Sequence, residues 1–376
     1  MTFSKKTHYQ YPISNIEEVD NFYVLDGCLK LLKDQEKGQE KIINGKLQQS
    51  YTNSYVYVSP GTKRTVTYKI DSSIPSSGSN NWSSNIDAAM IAYNSIRNFN
   101  ITFQKITSGS ADITFSGGYF SSTAIAWGSW TSSGNPGTSV TINFNYSGNI
   151  LGSQRTFVMA HEVGHNLGFR HTNWIAAGES LNNPSAGLYG GNLVPATFGS
   201  DPYTIMNTGP SYPSVPNWTD FPYTDLLAIR YLYSYDASEK PFYSYLKTST
   251  GGYNWTTNWN TYQYGASGFS YWGVNGYIYS SQKSGTVPLY RYRHNVTHVD
   301  YLSRDSNLGA TYPGYVLQAT AGYVYTANSS GRMPVYEWYH PDKGFYFTTL
   351  TSDSVTSSGG WSGGSIAFYT LTLDAN

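Results

Sequence analysis

The sequence predicts two units of different fold class: an α+β unit with a mixed, twisted sheet and a helix carrying the functional residues, then an all-β unit, expected to be a β-trefoil. Three observations carry this. Up to about residue 235, runs with strand-like alternation are interleaved with segments of helical apolar spacing. Beyond Ser238 the chain turns to Tyr, Gly, Ser and Thr, and a period of roughly 46 residues emerges. Between them lies HEVGHNLGFRH, His161 to His171, which places three histidines and a glutamate within eleven residues.

Composition narrows the function. Net charge is zero and charged residues make up 12% of the chain, which argues against a phosphate-neutralising nucleic-acid surface. No run of about eighteen apolar residues is present, so no membrane span is expected. The N-terminus carries basic residues without an apolar core; the expectation is a secreted, bacterial protein whose signal peptide is absent here. One cysteine, Cys28, excludes an intramolecular disulfide.

In chain order, residues 1–51 concentrate charge (LLKDQEKGQEK) around one apolar run, Phe22 to Leu25, with a turn expected at Asp26-Gly27. From residue 52 to 237 an α+β domain is expected. Thr65 to Ile70 alternates as a strand. NWSSNIDAAMIAYNSI carries Ile86, Met90, Tyr93 and Ile96 at helical spacing. Strands are expected at 100–106, 111–115 and 138–144. The central helix should run from Ser153, as N-cap, to about Leu167, burying Phe157, Val158, Ala160, Val163, Gly164 and Leu167. Residues 175–220 are rich in Gly, Pro, Asn and Ser without periodicity. Phe221 to Tyr233 reads as a closing helix.

On the central helix His161 and His165 stand at i and i+4, so both imidazoles leave one face and can grip one zinc ion. Glu162, one residue round, can reach a water on the open side of the metal. Helical phase cannot bring His171 to the same ion. Gly168 resolves this by taking a left-handed conformation and turning the chain. Three nitrogen donors leave one zinc position for water, the layout of a catalytic centre.

These residues match HExxHxxGxxH in full, and the chain thereby resembles the metzincin zinc peptidases. The resemblance implies a methionine turn beneath the metal, which DPYTIMNTGP supplies as Met206. In two metzincin families a tyrosine two residues later adds a ligand; here that position is Thr208, with Tyr212 the nearest substitute. With HEVGH, DPYTIMN and NWTDFPYTDLLAIRYLY, the chain looks most like the bacterial HEIGH-type peptidases over roughly residues 15–235. The implied activity is zinc-dependent hydrolysis of internal peptide bonds in a protein or peptide substrate, with Glu162 as general base and then general acid. The resemblance also implies a sheet-edge strand pairing with extended substrate, one of those between 111 and 144, and residues 175–220 around the primed side of the cleft. Cys28, ahead of such a domain, resembles the cysteine switch that fills the open zinc position of latent metalloproteases. Asp26 is a second candidate, and a buried, chemically silent cysteine the bland alternative. Calcium, common in such domains, has no loop here with a recognisable ligand spacing.

In residues 238–376, Pro241-Phe242-Tyr243, Pro288-Leu289-Tyr290 and Pro334-Val335-Tyr336 recur at spacings of 47 and 46. Gly276-Tyr277-Ile278-Tyr279 matches Gly322-Tyr323-Val324-Tyr325, and Gly344 to Thr349 has counterparts near Tyr301 and Trp255. Three copies of short aromatic strands would close into a trefoil; a sandwich or a propeller-like array are the alternatives. Tyr and Trp faces stack on sugar rings, so the expected partner is a glycan or cell surface, against the plainer reading that the rings are core. The rival to a peptidase is an adhesin or glycan-binding protein in which this unit dominates, or a peptidase restricted to glycoproteins.

Overall fold

The computed structural model describes residues 16–19, 22–25, 29–32, 48–52, 55–172, 192–198, 204–207, 215–263, 268–351, 353 and 355–372. It divides the chain into two units, Met1–Tyr235 and Asp236–Asn376.

The first unit is built on strands β1 (Ile16–Val19), β2 (Phe22–Leu25), β3 (Leu29–Leu32), β4 (Gln48–Tyr51) and β5 (Arg64–Ile70), then helix α1 (Ser83–Ser95). There follow β6 (Ile101–Lys105), β7 (Ile113–Gly118), β8 (Ala126–Gly128), β9 (Ser139–Asn143), helix α2 (Ser153–Leu167), β10 (Phe169–Arg170), β11 (Asn192–Phe198) and helix α3 (Tyr223–Tyr233). One sheet runs in the order β1-β2-β3-β8-β9-β7-β5-β6. Strands β6, β5, β7 and β9 are parallel neighbours, β8 is antiparallel to β9, and β3 pairs with β8 in parallel through Leu29 and Gly128. The mixed sheet is thus as expected. A smaller sheet, β10-β4-β11, ties the segment after α2 to residues 48–51.

Alternation explains β5: Val66 and Tyr68 are buried while Thr65 faces solvent. In α1, Ile86, Met90 and Tyr93 face the core as their spacing requires, while Ile96 caps the helix instead of extending it. Tyr93 crosses to α2, donating its hydroxyl to the Ala160 carbonyl at 2.9 Å and setting its ring 4.7 Å from Phe221.

The structure corrects three of the sequence expectations. Ser153 begins α2 but does not cap it: Gly152, at φ 52°, is the cap residue, and Ser153 Oγ lies 3.0 Å from Asn217 Oδ1. The α2 helix is buried all round from Arg155 to Leu167, not on one face. Its polar Arg155 is tolerated because the guanidinium donates to the carbonyls of Ile150, Asn81, Ser79 and Ser147. Residues 175–220 also contain β11, whose register with β4 shifts between Leu193 and Phe198, hiding any period of two.

The second unit is all-β. Its strands are β12 (Glu239–Lys247), β13 (Tyr253–Thr256), β14 (Phe269–Tyr279), β15 (Thr286–His294), β16 (Asp300–Ser303), β17 (Tyr315–Tyr325), β18 (Arg332–His340), β19 (Gly344–Thr348) and β20 (Ser362–Leu371). The sequence period appears here as three copies of a long, a short and a long strand, the first long strand pairing with both others in each copy. The last strands of the copies meet one another at Tyr279–Tyr323, Tyr277–Leu371 and Tyr325–Tyr369. Trp255, Tyr301 and Phe347, one from each short strand, form part of its core, with ring centroids 5.1 Å apart for Trp255–Phe347 and 5.9 Å for Tyr301–Phe347. These pairings establish an all-β unit of three like copies.

Candidate metal centre

Helix α2 carries His161 and His165 one turn apart, and the chain must reverse to bring in a third ring. Gly168 does this at φ 105°, its N–H accepted by the carbonyls of Gly164 and His165. A Cβ there would lie 3.0 Å from Tyr55 Cα, so both the backbone angle and the space demand glycine. His171 follows β10 and returns to the helix.

The three Nε2 atoms converge. His161–His165 is 3.1 Å, His165–His171 3.2 Å and His171–His161 3.3 Å. All three residues are buried, and among the described residues theirs is the cluster able to hold a metal ion. Carbonyl oxygens only accept, so the ring N–H groups of His161 and His165 sit on Nδ1, donating to Ile205 and, at 2.8 Å, to Phe169. That tautomer leaves the Nε2 lone pairs aimed at one point. Nitrogens sharing one zinc at about 2.0–2.1 Å would stand at nearly this separation, so the donor set fits the ion.

Burial keeps the His161 and His165 rings neutral, the form a metal needs. It lowers His161 to about 3, helped by His171, against the hydrogen bond to Ile205; burial likewise holds His165 well below the usual imidazole value. Glu162 is 1% exposed, and burial raises its carboxyl to about 8, with His171 and the Gly128 N–H pulling the other way. Its Oε2 is buried with no hydrogen-bond partner. An orphaned carboxylate oxygen beside three converging ring nitrogens is a place where a cation and its water complete the bonding. A Cβ on Gly128 would come within 2.6 Å of the Glu162 carbonyl, so glycine lets β8 approach the helix.

Met206 lies under the helix at 1% exposure. It explains the glycine of HEVGH: a Cβ on Gly164 would fall 2.5 Å from the Met206 sulfur, so the methionine would have to shift to admit one. Thr172 joins the third histidine to this turn, its N–H donating to the Met206 carbonyl at 2.9 Å and its hydroxyl to Asn207 Oδ1.

The structure therefore brings together His161, Glu162, His165, His171 and Met206. Cys28, Asp26, Thr208 and Tyr212 lie outside the described residues. Sequence reasoning missed Gly128, Thr172, Asn207 and Asp225; the one available signal was an acid, Asp225, inside the apolar run of the closing helix.

Three imidazoles and a buried carboxylate on this fold define a metal-dependent peptidase. The chain belongs to the dual-action HEIGH metallopeptidase family, whose model matches residues 27–233. A second model, described only as a domain of unknown function, matches residues 222–303 and again 293–371, in keeping with internal repetition. No curated protein matches the chain. Among solved structures it is similar to myroilysin, at 16% identity over 49% of this chain and 98% of that one, with a TM-score of 0.31. No helix among the described residues is long and apolar enough to cross a membrane.

Proposed function

We propose that this chain is a secreted zinc endopeptidase of the metzincin type, in which His161, His165 and His171 hold the metal and Glu162 is the catalytic carboxylate. The observation that carries the reading is the convergence of three Nε2 atoms within 3.1–3.3 Å beside a buried carboxylate with one unpartnered oxygen. When bound, zinc would polarise the scissile carbonyl and acidify the attacking water. Glu162 takes that water's proton and returns it to the leaving amine nitrogen. The Gly128 N–H faces the Glu162 carboxyl and favours its charged form. Met206 floors the centre with an apolar surface and ligates nothing. Hydrolysis of a casein-like substrate that stops on chelation and returns with zinc is the direct test.

We read residues 1–51 as a latency segment, 52–237 as the catalytic domain and 238–376 as a threefold, trefoil-like appendage. Latency is supported by β3, which lies beside β8 at Gly128, the residue that contacts Glu162. Cys28 immediately precedes that strand. The Cys28→Ala chain is expected to hydrolyse peptide at least about tenfold faster than the intact parent, as the loss of a thiolate ligand implies. Equal rates and equal metal environments would remove Cys28 from the scheme.

For the appendage we keep the glycan-binding reading. Trp272 is 44% exposed, and its indole N–H is held at 3.3 Å by the Tyr346 hydroxyl, which donates to Asp353 at 2.6 Å. An exposed ring fixed beside a carboxylate suits a sugar's C–H face and hydroxyls. The full chain should bind members of a glycan array, and Trp272→Ala should lose at least about tenfold in affinity, about 1.4 kcal/mol. An array with no signal for the parent chain sinks this reading and leaves the peptidase untouched.

A further inference from the structure

Asp225 is a charged side chain at 2% exposure on α3, and nothing in the peptidase chemistry uses it. A buried carboxylate is costly unless its lone pairs are filled. Here Oδ1 accepts from Gln49 Nε2 at 2.6 Å and from the Thr204 hydroxyl at 2.6 Å, while Oδ2 accepts from the Ile205 N–H at 2.9 Å. The Thr204 oxygen in turn accepts from the Met206 N–H at 3.2 Å. That N–H shares a peptide unit with the Ile205 carbonyl, and the Ile205 carbonyl receives His161 Nδ1–H. The bonds run unbroken from carboxylate to hydroxyl to peptide to imidazole.

We propose that Asp225 is a positioning residue for the metal centre, acting on His161 through Thr204 and the Ile205–Met206 peptide. The inference rests on reading the three imidazoles as metal ligands. Each bond in such a chain polarises the next, so the carboxylate makes the Ile205 carbonyl a stronger acceptor and His161 Nε2 a better donor to the metal. It also fixes the turn that carries Met206, because both flanking N–H groups, of Ile205 and Met206, are held through it. Histidine ligands elsewhere often meet a carboxylate directly. Here a hydroxyl and one peptide unit stand between them.

Two substitutions isolate the relay in the full chain. Thr204→Val removes the hydroxyl at nearly constant volume and leaves the Asp225–Ile205 bond in place; Thr204→Ser restores the hydroxyl. Asp225→Asn removes the charge. Zinc affinity is read by competition with a chromogenic chelator, the ligand field by the visible spectrum of the cobalt-substituted chain, and stability by the melting of the metal-free chain. Thr204→Val and Asp225→Asn should weaken zinc binding by about 10–100-fold and shift the cobalt bands, with Thr204→Ser close to the parent. If Asp225→Asn does not fold, the Val and Ser pair decides alone. A purely structural role predicts lower melting temperatures with zinc affinity within twofold of the parent and an unmoved cobalt spectrum; that result overturns the relay and spares the centre. A parent chain that binds no zinc stoichiometrically overturns the centre itself, and the relay with it.

Discussion

The Glu162→Gln chain should retain its metal and lose about 10²–10⁴-fold in peptide hydrolysis. Glutamine keeps the size of the side chain and an acceptor for the Gly128 N–H, so the packing at 1% exposure is undisturbed. What it cannot do is take a proton. The environment sharpens the case, because burial alone raises this carboxyl to about 8. At neutral pH Glu162 becomes a base only where a cation among the three imidazoles favours its charged form. The residue is therefore useful beside a metal and idle without one. Metal content by elemental analysis, with kcat/KM on a casein-like peptide, checks the prediction. Hydrolysis within a few-fold of the parent rules out the assigned role. Loss of the metal together with activity would make Glu162 a structural residue. A parent chain that is itself inactive would favour the adhesin reading.

How much of this was legible follows from how far apart the cooperating residues lie. HEVGHNLGFRH is local: helical phase places His161 and His165, and a left-handed Gly168 accounts for His171 without any tertiary information. Met206 was legible only through family resemblance, and the reason Gly164 must be glycine emerged only with the sulfur packed against it. Strand β8 was illegible because Ala126–Gly128 is too short to show alternation, although its Gly128 lies against Glu162. The same brevity hid β1 and β3, four residues each. Asp225 looked like a polar interruption of an apolar helix, and its partner Gln49 is 176 residues away. In the second unit the period of roughly 46 residues came through because aromatic core positions repeat with the copies. The way three copies close depends on single bridges such as Tyr325–Tyr369, which leave no trace in composition.

The metal-free chain should be most stable in a window around pH 6.5, and zinc should abolish its decline on the alkaline side. Two opposed linkages set that window. His161 falls from an ordinary 6.5 to about 3 on folding, and His165 shifts the same way. Between those values the unfolded chain binds protons that the folded chain refuses, so stability drops as the pH falls below 6.5. Glu162 moves oppositely, from 4.5 to about 8. Across that interval the folded chain keeps a proton the unfolded chain has released, so stability drops as the pH rises above 4.5. Two imidazoles outweigh one carboxyl between 4.5 and 6.5, so stability still rises with pH there, less steeply than below 4.5; Glu162 alone governs from 6.5 to about 8. A tenfold change in proton affinity corresponds to about 1.4 kcal/mol, so the acid flank can amount to several kcal/mol and the alkaline flank to about 2 kcal/mol. A cation among the imidazoles favours ionised Glu162 and removes the alkaline flank, while protons still compete for the nitrogens in acid. Added zinc should therefore raise the melting temperature most above pH 7 and least near pH 4. Melting temperatures of the chelator-treated chain that climb steadily to pH 9, or a zinc increment that does not vary with pH, would show that this carboxylate and these imidazoles do not face the same ion.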